Sequence, residues 1–206
     1  MLVKEFKEKN IVVSASSKLS ENVKLGSNVC ILGDSIIEEG VEIGANSVIE
    51  NSHICKGTII ISSFVKDSVI GENSTVGPFA HIRDNTQVAE NCRIGNFVEI
   101  KNSVIGRGCK MAHLAYIGDA EMGINCNIGC GVVFCNYNGK IKQKSYLGDN
   151  VFVGSNSNLI APVILSDNAY IAAGSTINND VDVGELAIAR ARQVNKKNFK
   201  NPYIDR

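Results

Sequence analysis

The chain has 206 residues, with 21 Lys and Arg against 21 Asp and Glu, so its formal net charge is zero. That balance excludes a global basic footprint for nucleic acid or a polybasic membrane signal, and no apolar run approaches the roughly twenty residues that cross a bilayer. The N-terminal Met-Leu-Val-Lys-Glu-Phe-Lys-Glu-Lys is charged throughout and lacks the apolar centre of a secretory signal, so a cytoplasmic soluble protein is the expectation. Only 6% of residues are aromatic and none is Trp, whereas Gly numbers 19. A core of small β-branched residues without large aromatics implies a narrow, repetitive interior.

From the N-terminus, aliphatic residues recur at every sixth position: Val13, Leu19, Leu25, Ile31, Ile37, Ile43 and Ile49, then Cys55 and Ile61. The phase slips and resumes at Ile70, running through Val76, Ile82, Val88 and Ile94 to Ile100. It slips again to Ile105, Met111 and Ile117, then to Met122, Ile128 and Phe134. Asn136 to Ser145 reads as a loop excursion, after which the period holds at Leu147, Val153, Leu159, Leu165, Ile171, Ile177 and Val183. A second, smaller inward residue sits four places further on, as at Ser47, Ser74, Ala80, Cys92, Ser157, Ala169 and Ser175. Beyond Ala187 the charged tail is expected to be helical or irregular, which divides the chain into a repeat domain, 1–188, and a tail, 189–206.

A helix needs a period near 3.6 and a simple strand a period of 2. Six fits a short strand plus a corner, wound so that the same two side chains point inward on each pass. Successive passes then pair as parallel strands about 4.8 Å apart, each covering its neighbour. An ordinary β-sandwich would not keep one six-residue register through the C-terminal run. The pattern resembles the hexapeptide-repeat acyltransferases, whose all-β fold is a left-handed parallel β-helix. That resemblance implies about eighteen residues per triangular coil and roughly ten coils. It also supplies the handedness, which runs against the usual right-handed crossover.

Several longer motifs are more specific. They are Gly77-Pro78-Phe79-Ala80-His81-Ile82-Arg83, Gly95-Asn96-Phe97-Val98-Glu99-Ile100-Lys101 and His113-Leu114-Ala115-Tyr116-Ile117-Gly118-Asp119-Ala120. Asn127-Ile128-Gly129, Phe134-Cys135-Asn136-Tyr137-Asn138-Gly139 and Ala189-Arg190-Ala191-Arg192-Gln193 follow in order. Dense from Val76 to Gln193, they resemble the C-terminal glucosamine-1-phosphate N-acetyltransferase domain of the bifunctional N-acetylglucosamine-1-phosphate uridylyltransferase family. Upstream only the hexads match. The Gly-rich nucleotide loop of that family's uridylyltransferase half is not recognisable here, so the expectation is the acetyl-transfer half without it.

Arg83 and Lys101 follow aliphatic corner residues eighteen positions apart, so they should stack on adjacent coils and suit a sugar phosphate. His113, two places after Met111, falls on an outward position in one column with Asn96 and Cys130. The resemblance makes His113 the general base that takes a proton from the sugar amine, a task suited to neutral imidazole. Glu99 is expected to orient the imidazole or the amine. Tyr116, Asn127 and Lys142 complete the sugar site by resemblance, with Lys140 and Lys144 as competitors to Lys142. For acetyl-CoA, the co-substrate, the resemblance points to Cys130, Asn136, Tyr137, Ser155, Ala173 and Arg190. Ser155 and Ala173 share a phase, and small residues there leave a groove for the pantetheine arm. Cys130 stands where the family usually has Ala, and it reads as a tolerated small residue. Asn138 in place of the usual Asp is a mild change. His53 and His81 occupy other phases and read as structural.

Seven Cys argue against a disulfide framework in a chain of this kind. Cys92, Cys109 and Cys126, spaced by seventeen, are expected to form an interior ladder of reduced thiols, and no metal is expected for the acetyl transfer. The resemblance implies a homotrimer with its sites between subunits, acting on small molecules and on neither nucleic acid nor membrane. Three other readings are an acyltransferase for a different amino sugar, a carbonic-anhydrase-like β-helix needing three His on zinc, and a β-helix without turnover.

Overall fold

In a computed structural model of the chain, residues 3–6 and 10–200 are described, with side chains from Asn10 onward. The charged N-terminal stretch through Lys9 is therefore only partly described, and the tail beyond Lys200 lies outside the described residues. Every described element is a strand, mostly of two or three residues, separated by turns. Val3–Phe6 pairs antiparallel with Ile11–Ser14. From there the described ladders between strands are parallel, winding the chain into a parallel β-helix.

Three columns of inward side chains define its faces. The first begins Val13, Ile31, Ile49, Val65 and Ile82. It continues through Ile100, Ile117 and Phe134 to Leu159 and Ile177. The second runs from Leu25, Ile43 and Ile60 to Val153, Ile171 and Ala187. The third runs from Leu19, Ile37 and Ile54 to Leu147, Leu165 and Val181. Each inward residue covers the one below, so Ile31, Ile49, Ile82 and Ile100 reach 0% exposure. The expected small inward residues, Ser47, Ser74, Ala80, Cys92, Ser157, Ala169 and Ser175, are all buried.

Two expectations about phase are corrected. Cys55 is half-buried and Ile61 is exposed, whereas Ile54 and Ile60 fill the interior. The slip comes earlier than the aliphatic pattern indicates, because a turn at Asn51 (φ 46°) shortens the step from Ile49 to Ile54 to five residues. The run Ile59-Ile60-Ile61 offers three equally apolar candidates, and hydropathy alone does not choose between them. At the other end Val183 is 67% exposed and Val181 takes the last inward place. The tail is irregular where described, with Leu186–Ala187 adding a final rung beside Tyr170–Ile171.

The interior thiols form the expected ladder. Cys92, Cys109 and Cys126 are buried and reduced. Each directs its sulfur at a corner carbonyl of the next coil: Gly106 O at 3.2 Å, Gly123 O at 3.1 Å and Gly148 O at 3.1 Å. They replace the hydroxyl of Ser74, which bonds Ala89 O in the same way. Truncating a shared interior column should be costly: Ile100→Ala is expected to lower the unfolding free energy by about 2–5 kcal/mol, measured by denaturant titration. A loss below about 1 kcal/mol would mean that the column does not carry the fold.

Candidate active site

Two long strands turn a corner without breaking: Arg93–Lys101 and Lys110–Gly118, paired rung on rung with Asn96 opposite His113 and Glu99 opposite Tyr116. The bends lie at Phe97 (φ 56°) and Leu114 (φ 40°), with Phe79 (φ 60°) on the coil before. Positive φ is uncommon for such bulky residues, and strain of this kind concentrates at functional sites. Phe79 and Phe97 stack outside the corner at 5.6 Å, and Leu114 is exposed beyond them.

His113 projects from this corner into solvent, and its Nδ1 lies 2.7 Å from Asn96 Oδ1. An amide oxygen only accepts, so the neutral ring carries its proton on Nδ1 and presents the Nε2 lone pair outward. That is the tautomer a proton acceptor needs. Both Arg83 Nε and Nη2 donate to Glu99 Oε1, at 3.0 and 2.7 Å. Of the two partners expected for Glu99, the imidazole is taken by Asn96, which leaves the amine.

The cations stack as expected, with Arg83 opposite Lys101 on adjacent rungs. Asp84 and Glu99 neutralise Arg83, and Lys101, buried, meets Asp119 at 3.4 Å. Asp119 accepts from Asn102 Nδ2 and Asn136 Nδ2, and Asn136 also reaches the Tyr116 hydroxyl at 3.4 Å. Burial alone would raise the Asp119 carboxyl. The bonds from Asn102 and Asn136, with the Lys101 ammonium, outweigh that and hold it below the usual carboxylate range.

The excursion after Phe134 returns as a small hairpin, with Tyr137 bridging Lys142 antiparallel. Asn138 Oδ1 caps its tip by accepting from the Lys140 and Ile141 N–H groups at 2.9 and 3.0 Å, which an Asp carboxylate would do equally well. The hairpin brings Lys142 to Lys101, and that neighbouring ammonium, with Arg83 adding to it, pushes Lys142 below its ordinary lysine value. Lys144 is tied to Glu121 instead. Lys142 thus joins Arg83, Lys101 and Tyr116, and an anion there would relieve the repulsion.

A second line of residues continues the His113 column. Asn156 N donates to Cys130 O and Gly174 N to Ser155 O, so Cys130, Ser155 and Ala173 stack on successive coils beyond His113. All three are exposed and small. At its end Arg190 lies over Gly174, where an added Cβ would sit 3.7 Å from Arg190 Cδ. Of the six residues expected at acetyl-CoA, these four share one edge. Tyr137 is exposed on the hairpin, whereas Asn136 is buried beneath the cations. Asn127 pairs with Lys110 and Phe152 on the face before the corner, apart from the cations on the face after it. Asp119, Asn102 and Asn96 carry no assignment from sequence, although Asp119 follows Lys101 by one eighteen-residue coil.

The family model for bacterial transferase hexapeptide (six repeats) matches residues 16–51, 67–102 and 144–179. The chain belongs to that family. It is 49% identical over 190 residues to the bifunctional protein GlmU of Clostridium botulinum, covering 89% of the chain and 42% of the relative. With GlmU of Clostridioides difficile the identity is 50% over 195 residues, 92% of the chain and 42% of the relative. The chain thus spans about two fifths of the length of these curated relatives. A crystal structure of a UDP-N-acetylglucosamine acyltransferase superposes with a TM-score of 0.50 at 16% identity, over 86% of the chain and 68% of that structure, a likeness of fold. The hexapeptide family and the observed parallel coils together make the architecture a left-handed parallel β-helix.

Two measurements test the site's internal logic. Nitrogen-15 spectra of the histidine rings should show His113 as the Nδ1–H tautomer when neutral, and Asn96→Leu should shift it towards Nε2–H. Asp119→Asn leaves Lys101 buried without its counter-charge and should cost about 3–5 kcal/mol at neutral pH. The Asp119 carboxyl titrates low in the folded chain, so its contribution is full above the ordinary carboxylate range and is lost as pH falls through the depressed value. The stabilities of the two proteins should therefore converge in acid.

Proposed function

We propose that the chain is a glucosamine-1-phosphate N-acetyltransferase that uses acetyl-CoA and yields N-acetylglucosamine-1-phosphate for UDP-N-acetylglucosamine synthesis. The observation that carries this reading is the juxtaposition on one corner of an imidazole with an outward Nε2, a cluster of three cations, and a column of small residues. His113 Nε2 takes a proton as the amine nitrogen attacks the thioester carbonyl. The new C–N bond forms, the C–S bond breaks, and the departing thiolate regains a proton. Arg83, Lys101 and Lys142 hold the phosphate, Arg83 through its planar fork and the lysines as point charges. Glu99 acts through Arg83, and Tyr116 and Asn127 orient the sugar. The thin groove past Cys130, Ser155 and Ala173 takes the pantetheine arm, with Arg190 near a CoA phosphate and Asn136 and Tyr137 at its flank. In this reading the Cys130 N–H polarises the thioester carbonyl.

The separation of Asn127 from the cations within one chain supports a homotrimer in which neighbouring copies complete each site. The full relatives are bifunctional proteins more than twice as long, and the acetyl-transfer half of their work is what these residues fit. Cytoplasmic, soluble action on small molecules follows from that reading.

The test is a thiol-release assay with acetyl-CoA and glucosamine-1-phosphate against unphosphorylated and nucleotide-linked amino sugars. His113→Ala should lower turnover by about two orders of magnitude or more while leaving acetyl-CoA binding intact. Arg83→Ala should raise KM for the phosphorylated amine far more than for the unphosphorylated one. Preference for another amino sugar would replace the substrate, and unchanged turnover in His113→Ala would remove the base.

A further inference from the structure

A second constellation lies in the N-terminal half, on the face carrying the third inward column. His53 and Cys55 flank the inward Ile54, so strand alternation turns both outward. The rung before pairs Ile37 with Ile54, which sets Glu38 beside Cys55. The imidazole, thiol and carboxylate thus converge, with one ligand atom from each lying within 4.8 Å of the others. This is the group of three or more potential metal ligands that the described residues contain. We propose that Glu38, His53 and Cys55 form a binding site for a late first-row divalent metal, with zinc the best fit.

The donor set carries the assignment. One thiolate, one imidazole and one carboxylate form a mixed N, O and S set of the kind zinc takes, whereas magnesium and calcium take oxygen alone. Tetrahedral zinc with bonds of about 2.0–2.3 Å places its ligands roughly 3.3–3.7 Å apart. The 4.8 Å outer limit is closed by a side-chain swing of about an ångström, and the His53 Nε2 to Glu38 Oε1 distance of 2.6 Å opens by a similar amount. The surroundings hold the carboxylate ready. Lys56 N donates to Glu38 Oε2 at 2.9 Å, fixing one oxygen and leaving Oε1 towards His53. The Lys56 ammonium pairs with Glu39 at 3.1 Å. Three protein ligands leave a fourth position for water. The metal would clip two successive coils together on a face remote from the corner that carries His113.

The experiment uses the full reduced chain, stripped of metal by chelation and dialysed against Zn²⁺ in parallel with Mg²⁺. One zinc should be retained per chain, the melting temperature should rise with Zn²⁺ and not with Mg²⁺, and Co²⁺ should produce a thiolate-to-cobalt charge-transfer band. Cys55→Ser, His53→Ala and Glu38→Gln should each weaken zinc binding by at least about tenfold. Cys130→Ser, which keeps all three ligands, should bind zinc as the parent does. Failure of the parent to retain zinc would overturn the site, as would undiminished binding in Cys55→Ser. Should one variant lose the parent's circular dichroism, the cobalt band of the parent and the other two variants decide the question.

Discussion

Everything in this molecule depends on the registration of one coil upon the next. Parallel rungs about 4.8 Å apart force residues of equal phase into columns, and a column is both a packing unit and a chemical one. Pointing inward, it produces the aliphatic stacks that bury Ile31, Ile49, Ile82 and Ile100 completely. Pointing outward, it sets Arg83 beside Lys101 and Asn96 beside His113. No element of tertiary structure beyond the winding is needed to assemble these groups. In a packed α/β enzyme the corresponding residues would come from distant loops; here they come from successive turns of one ladder.

Stacking is indifferent to charge, and that creates the electrostatic problem that the Lys101 region solves. Like charges in one column repel at short range. Arg83 is relieved by Glu99 and Asp84, and Lys101 by a buried Asp119 that two amides and the ammonium keep ionised. Lys142, delivered by the hairpin, is less well matched: Lys101, with Arg83 adding to it, presses on it more than Asp119 relieves it. The charges on Arg83 and Lys101 are thus matched within the fold, and in the proposed function the phosphate meets the excess at Lys142. Asn136 is part of that charge matching, bonding Asp119 and Tyr116 from below, and this explains why a motif residue expected at the co-substrate is buried in the structure.

Much of this was legible in the sequence, and the misses have local causes. The period of six yields the coil, and spacing of eighteen places Arg83 on Lys101, because stacking converts sequence separation directly into neighbourhood. The phase failed at Cys55 and Ile61, where Ile59, Ile60 and Ile61 are interchangeable by hydropathy and only the turn at Asn51 decides which faces in. It failed again at Val183, one apolar residue too far beyond Val181. Glu99 takes Arg83 and not the imidazole for another reason: alternation says which residues share a face, but not which of two neighbours a flexible carboxylate will choose. Arg83 offers two charge-assisted donors, and imidazole offers one. Lys142 is expected over Lys140 and Lys144 by resemblance and not by periodicity, since the hairpin that carries it lies outside the repeat.

The corner itself explains why the chemistry sits where it does. On a flat face of the prism an outward side chain is crowded by rungs above and below, and its direction is fixed by alternation. At the bend, residues with positive φ break that alternation, so Asn96 and His113 project from an edge and not from a face. Most bends in this chain use Asn or Gly for that conformation, whereas this column uses Phe79, Phe97 and Leu114 before returning to Gly131, Asn156 and Gly174. The bulky residues coincide with the coils that carry Arg83, Asn96 and His113, and the small ones begin where Cys130, Ser155 and Ala173 stack. The steric character of one column thus changes at the point where the proposed acceptor site gives way to the proposed donor channel. A repeat optimised for stability alone has no reason to place its strained bends on one side of that boundary. Among the described residues, bulky side chains at positive φ fall on those coils alone, which is where strain of this kind serves a site built into the ladder.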